Sequence, residues 1–211
     1  MRRLVIVGAG GHARETEWTA ELCGFEVIGF VVTDVARLGP NDSKDRVLGD
    51  YGWIERERHK VDGLVIGIGT PAARLRVAAE LMQSFPDVDW PVLVHPSAIL
   101  DKRSCTLEPG SFVSAGVTAT VNVHLEAFAV ANFGCTLGHE AQLGRGVVVN
   151  PGANISGGVV IEEGAQIGTG AQVLQYLRVG RNASVGAGAV VTKDVPEGVT
   201  VVGVPARPIT R

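Results

Sequence analysis

The sequence predicts two units of unlike grammar: a small Rossmann-like parallel α/β unit, then a left-handed parallel β-helix of hexapeptide repeats. Three observations predict this. Apolar runs alternate with helical segments over the first ninety or so residues. Aliphatic residues then recur at every sixth position. Glycine supplies 28 of 211 residues, about twice its usual share, while aromatics are scarce, as expected for a chain of many tight turns. The units are taken as residues 1–92 and 93–211.

In the first unit, "LVIVGAG" (4–10) reads as a buried strand ending in a glycine turn. "HARETEWTAELCG" has helical apolar spacing, closed by Gly24 just past the end. "FEVIGFVVTD" is a second strand ending at Asp34, and "DGLVIGIGT" is another. The helical "PAARLRVAAELMQSF" follows, with Pro71 suited to a first turn. Continuous apolar strands alternating with helices imply a parallel sheet covered on both faces.

Beyond Trp90 the period changes. Steps of six from Leu107 reach Val113, Ala119, Leu125, Ala131, Leu137, Leu143, Val149, Ile155 and onward to Val191, all aliphatic. A second, mostly small series includes Ala129, Cys135, Ala141, Val147 and Ala153. A fixed short period means a solenoid, and large and small positions alternating within six residues fit the triangular β-helix, three hexads to a coil. A β-sandwich predicts uneven strands with period-two alternation, and it leaves the sixfold register unexplained.

Composition excludes several classes. A net charge of −3 without a basic stripe argues against nucleic acid. The three cysteines form no CxxC pair, so neither a disulfide framework nor a metal site is indicated. The opening apolar run meets glycines too soon for a signal peptide, and no stretch approaches a membrane span, so a cytoplasmic location is expected.

Three constellations carry chemistry. In "GAGGHARE", Gly8, Gly10 and Ala13 match G-x-G-x-x-G/A, Gly11 and His12 complete the turn, and Asp34 ends the second strand. Glycines admit a phosphate to the backbone and the helix N-terminus offers N–H groups. The unit is too small for a full dinucleotide fold, so a mononucleotide or nucleotide-sugar fits better; a turn that only packs helix on sheet has the same pattern. A second turn, "GIGTPAAR", carries Gly69 and Arg74, and Arg74 either faces the same crevice or covers the helix surface. The second constellation is His139–Glu140, an imidazole at an outward position beside a carboxylate able to hold one tautomer, as a general base requires. Asn132, one coil side earlier, offers an amide to substrate. A lone surface histidine is otherwise solvent decoration. The third is the tail "GVPARPITR", whose Arg207 and Arg211 either meet phosphates or solubilise the end of the stack.

Together, "VIVGAGGHARE", the hexapeptide array, "NFGCTLGHE" and "GVPAR" resemble a sugar acyltransferase family spanning essentially the whole chain. It joins a nucleotide-sugar-binding α/β domain to a left-handed β-helix. It includes N-acetyltransferases of UDP- or GDP-linked 4-amino sugars and the so-called sialic acid O-acetyltransferases. The resemblance implies acetyl-CoA as donor and a homotrimer with active sites between neighbouring β-helices. It also implies His139 as base, Glu140 as its orienting carboxylate and Asn132 as the preceding asparagine. Gly8, Gly10, Gly11, His12 and Asp34 fall on the nucleotide-sugar loop. Gly157, Thr169, Ala187 and Gly188 fall on the pantetheine groove, and Pro205 and Arg207 near the nucleotide end of CoA. Two positions depart from the pattern: Val148 stands where some members have a second histidine, and Thr33 precedes a single acid, Asp34. An O-acetyltransferase, or a non-catalytic trimeric nucleotide-sugar binder, fits the same residues.

Overall fold

The computed structural model describes residues 1–42 and 44–209; Arg211 lies outside the described residues. Its first unit is a four-stranded parallel sheet in the order β3-β2-β1-β4, from β1 (Arg3–Val7), β2 (Glu26–Val31), β3 (Val47–Gly49) and β4 (Gly63–Ile66). Helices α1 (Gly11–Leu22), α2 (Tyr51–Arg56) and α3 (Pro71–Ser84) complete it. β1 and β4 are almost entirely buried because helices cover the sheet, which is why they read as unbroken apolar runs. Gly24, with φ of +83°, ends α1, and Pro71 opens α3. The sequence reading did not separate β3 and α2, since three partly buried residues and a six-residue helix leave no clear periodicity.

From Leu93 the chain winds into a left-handed parallel β-helix of three faces. Most strands pair with the strand eighteen residues on: Leu137 lies beside Ile155, and Ile155 beside Val173. The first face runs through Thr106–Leu107, His124–Leu125, Gln142–Leu143, Val160–Ile161 and Arg178–Val179. The second starts at Leu93–Val94 and ends in Thr200–Val202 with the antiparallel Arg207–Pro208. The third runs from Ile99–Leu100 to Val190–Val191. The aliphatic series and the small series meet inside as one core. From Gly110 to Gly188 each hexad turns its corner through a left-handed residue, usually glycine, as at Gly134, Gly146, Gly152 and Gly158.

The faces differ outside. The first carries vertical ion pairs and carboxylate ladders, with Glu162 bound to Arg178 and to the Arg181 N–H. The lower coils of the second are apolar: Leu93, Phe112, Val130 and Val148 are buried against Leu4, Ile6, Ala13 and Phe30 of the α/β unit. The third presents Ile99, Thr118, Thr136, Asn154, Gln172 and Val190, with no charge.

One expectation is corrected at the junction. Arg74 neither faces a crevice nor covers a helix surface: it is 0% exposed. Its guanidinium donates to the carbonyls of Phe128 (2.7 Å) and Gly110 (3.2 Å) on the solenoid, and of Ile66 (2.6 Å) and Ile68 (3.2 Å) at and after the end of β4. Burial pulls its pKa down to about 9, which keeps it protonated at neutral pH. The side chain clasps the two units together by satisfying four carbonyls that would otherwise be stranded.

Candidate active site

His139 stands at the corner between the third and first faces, after strand Thr136–Leu137, with its side chain 50% exposed. Its Nδ1 lies 3.4 Å from a Glu140 carboxylate oxygen, at the long end of hydrogen-bond range. Glu140 is itself the corner residue, with φ of +62°, a conformation costing a side-chain-bearing residue roughly 1 kcal/mol. One coil above, Gly157 lies under the imidazole: a Cβ there would overlap Nε2 and Cε1 and come within 2.7 Å of Cδ2. The ring therefore turns Nδ1 towards Glu140 and Nε2 over bare backbone. No described group accepts the Gly157 N–H, and a Cβ on Gly138 would meet that nitrogen at 2.5 Å, so glycine at 138 leaves the donor open.

Asn132 is not beside His139 in the same protomer. It follows strand Val130–Ala131 and sits, 6% exposed, at the corner between the second and third faces. His139 is at the opposite end of the third face. Thr169, Ala187 and Gly188 occupy the Asn132 corner on higher coils, stacked so that the Gly188 N–H donates to the Thr169 carbonyl at 2.9 Å. The expected groove residues thus divide between two corners, Gly157 with His139 and the others with Asn132. Above them Pro205 lies in the tail, and Arg207 is exposed on the last strand, its guanidinium donating to the Ala206 carbonyl. Val148 is buried against the α/β unit on the second face, so it lines nothing near His139 of its own chain.

At the first glycine turn, Gly8 (φ +105°) lets the chain pass the Gly67 carbonyl, while a Cβ on Gly10 would meet open space. α1 begins with neither a side-chain cap nor an acidic residue in its first turn, leaving its N–H groups open to an anion. His12 packs edge-on to Phe112 at 5.5 Å; its Nδ1 lies 3.6 Å from Glu15, and its buried Nε2 has no hydrogen-bond partner. A Cβ on Gly69 would touch the His12 ring at 3.8 Å, so these two belong to one rim. Gly8 and Asp34 line a separate pocket of about 230 Å³ at the strand ends, shared with Tyr51, Arg76 and Glu80. The Asp34 carboxylate accepts from the Ala36 N–H at 3.0 Å, capping the turn that follows β2.

Sequence reading missed Tyr51, Arg76 and Glu80. A signal for the last two was present. Arg74 shares the helical stripe of Pro71, Ala78 and Leu81, which is the buried one, whereas Arg76 and Glu80 lie on the outer stripe. Burial, then Glu80, pushes the Tyr51 phenol above its ordinary range, which marks a partly enclosed site.

Cys135 is fully buried, donates to the Asn150 carbonyl at 3.1 Å, and is pushed up to about 11 by burial. It is a core residue, as its place in the small series anticipated. Among the described residues no cluster of metal-ligating side chains occurs, and no helix is long and apolar enough to cross a membrane.

Residues 3–81 match the PglD N-terminal domain family, and residues 158–193 match the bacterial transferase hexapeptide family. PerB from Caulobacter crescentus, solved with CoA and GDP-perosamine, is 30% identical, with all of this chain and 98% of that one aligned at a TM-score of 0.90. The chain belongs to the hexapeptide-repeat sugar acetyltransferase family. The acetyltransferase domain of PglB from Neisseria gonorrhoeae is 30% identical over 99% of this chain and 100% of its own, with a TM-score of 0.87. WeeI from Acinetobacter baumannii is 29% identical over the same shares, with a TM-score of 0.84. No curated protein sequence matches the chain significantly. In this acetyltransferase, then, the candidate site residues lie on two solenoid corners and at the glycine turn of the α/β unit.

Proposed function

We propose that the chain transfers acetyl from acetyl-CoA to the amino group of a UDP- or GDP-linked 4-amino-deoxy sugar, with His139 as general base. The observation that carries this reading is the seat of His139: its Nε2 stands over Gly157 at an exposed corner, with Glu140 at Nδ1. The imidazole takes the proton of the sugar amine as nitrogen attacks the thioester carbonyl. The C–N bond forms, the Gly157 N–H meets the charged oxygen, and collapse breaks the C–S bond. The proton then passes from His139 to the departing sulfur. Two relatives support the ligands: the Caulobacter protein was solved with CoA and GDP-perosamine, and the Neisseria domain with acetyl-CoA. The Caulobacter enzyme was also solved as a variant with one histidine replaced by asparagine.

The uncharged third face supports a homotrimer. Packed around a threefold axis, it brings the His139 corner of one protomer to the Asn132 corner of the next, uniting Gly157 with Thr169, Ala187 and Gly188 along one pantetheine groove. The cradle suits a thin flexible arm, since these positions are small. Arg207 at its upper end would meet CoA phosphates. The sugar nucleotide would lie along Gly8, Gly10, Gly11 and His12, with its diphosphate at the start of α1 and its nucleoside in the pocket of Asp34. Acetyl-CoA and activated sugars are both cytoplasmic metabolites, so that is where we place the protein.

The test is an acetylation assay over UDP-, GDP- and dTDP-4-amino sugars and sialic acid, read by product mass. We expect a single N-acetylated nucleotide sugar, and loss of most turnover in His139→Ala with the trimer intact. Near-normal turnover in that variant removes His139 from the mechanism.

A further inference from the structure

The solenoid corners single out Tyr176. Among the described residues, five non-glycine residues have positive φ: Asn122, Phe128, Glu140, Tyr176 and Asn182. The two asparagines tolerate that backbone through their short polar side chains. Phe128 is held there by burial, 1% exposed, packed edge-on to Trp90 at 5.2 Å with its carbonyl bound by Arg74. Glu140 meets His139. Tyr176 has no comparable support. It is 70% exposed, and its ring contact is with His139, the centroids 6.4 Å apart and the planes at 60°. A bulky residue kept in left-handed backbone without packing to hold it points to a role in function.

Its placement is specific. The ring lies across Gly158, where a Cβ would overlap Cδ1 and meet Cε1 at 2.6 Å. Gly157, the residue before, makes room in the same way for the imidazole. Two successive glycines therefore admit two rings, one rising from His139 on the coil below and one descending from Tyr176 on the coil above. The Tyr176 hydroxyl makes no hydrogen bond to any described residue. The imidazole, the Gly157 backbone and the Tyr176 ring thus lie together at one corner. If His139 takes the amine proton, amine and thioester must meet there.

We propose that Tyr176 is a catalytic hydrogen-bond donor to the thioester carbonyl oxygen. The inference rests on the acetyl-transfer reading above. As the amine nitrogen bonds to the carbonyl carbon, the carbonyl electron pair moves onto oxygen, and the phenol O–H and Gly157 N–H both donate to it. On collapse that pair re-forms C=O, the C–S bond breaks, and sulfur takes the proton held by His139. The phenol keeps its own proton throughout. Val148, buried on another face, offers no side-chain donor there, so the phenol supplies the second one.

The experiment compares Tyr176→Phe, Tyr176→Ala and Tyr176→Gly with wild type, using acetyl-CoA and whichever acceptor the panel identifies. Loss of a single oxyanion donor should lower kcat roughly 100-fold in Tyr176→Phe, with both KM values within about threefold and melting temperature unchanged. Tyr176→Ala should lose at least as much. Tyr176→Gly should melt higher, because the strained corner relaxes, while losing the same turnover. A kcat for Tyr176→Phe within about twofold of wild type overturns the proposal. So does a change confined to the KM for acetyl-CoA, which describes a wall for the donor rather than a catalytic group. A wild-type chain inactive on every acceptor overturns the parent reading and this one together. Active wild type, inactive His139→Ala and unimpaired Tyr176→Phe overturn this one alone.

Discussion

The imidazole of His139 occupies the space a side chain at position 157 would fill. Gly157 has ordinary backbone dihedrals, so the backbone there would accept alanine; the ring above would not. Gly157→Ala should therefore fold and assemble normally yet displace the imidazole. Turnover should fall by roughly 100-fold or more, because a misplaced reacting group forfeits its orientation. Steady-state kinetics beside circular dichroism and size-exclusion chromatography check this; normal kinetics would mean the ring is free to move.

Arg74 and Arg76 sit two residues apart on α3 and should behave oppositely. Arg74→Ala leaves four carbonyls at the junction without their donor and should cost about 3–5 kcal/mol, the range for breaking a buried charged network. Arg76→Ala should leave stability within about 0.5 kcal/mol, as for an ordinary surface change. It should instead weaken binding of the nucleotide, since Arg76 lines the pocket of Asp34. Chemical denaturation and nucleotide titration separate the two.

The third face tests assembly. Thr136 is exposed there and bonds Asn154 at 2.7 Å. Thr136→Arg places three like charges around the proposed threefold axis, so light scattering should report monomers. Activity should vanish with the trimer, because Asn132 and His139 stand at opposite ends of that face and, in the proposed trimer, meet between protomers. A monomeric, fully active Thr136→Arg would place the whole site within one chain.

Cys135→Ala should keep full turnover, since alanine fills the equivalent small position on neighbouring hexads and the thiol takes no part in direct transfer. Mass spectrometry of the enzyme with acetyl-CoA should show no acylation at Cys135. The variant should also be less sensitive to alkali. Between the ordinary thiol value of 9 and about 11, native Cys135 holds a proton that the unfolded chain has released, so stability falls as pH rises through that window. Alanine removes that part of the loss.

Much of the fold was legible because burial in a solenoid is periodic. Leu137, Leu143, Val149 and Ile155 each repeat one local requirement, so the inward face can be counted off the sequence. The glycine turn and the His139–Glu140 pair were legible for a related reason: each is a short run whose chemistry depends on immediate neighbours. Local patterning thus carried the two units, the core positions, and the adjacency of His139 and Glu140.

Relationships that depend on distant packing emerged only in three dimensions. Arg74 became a clasp because two stranded sets of carbonyls, one at the end of β4 and one on the solenoid, converge on its side of α3. Asn132 and His139 were parted because one strand of the third face separates their corners, and Val148 went inside because the α/β unit covers the second face. Tyr176 acquired its place beside His139 two coils away only because Gly157 and Gly158 carry no side chains to keep the rings apart. Such relationships join residues far separated along the chain, and shape and packing set them.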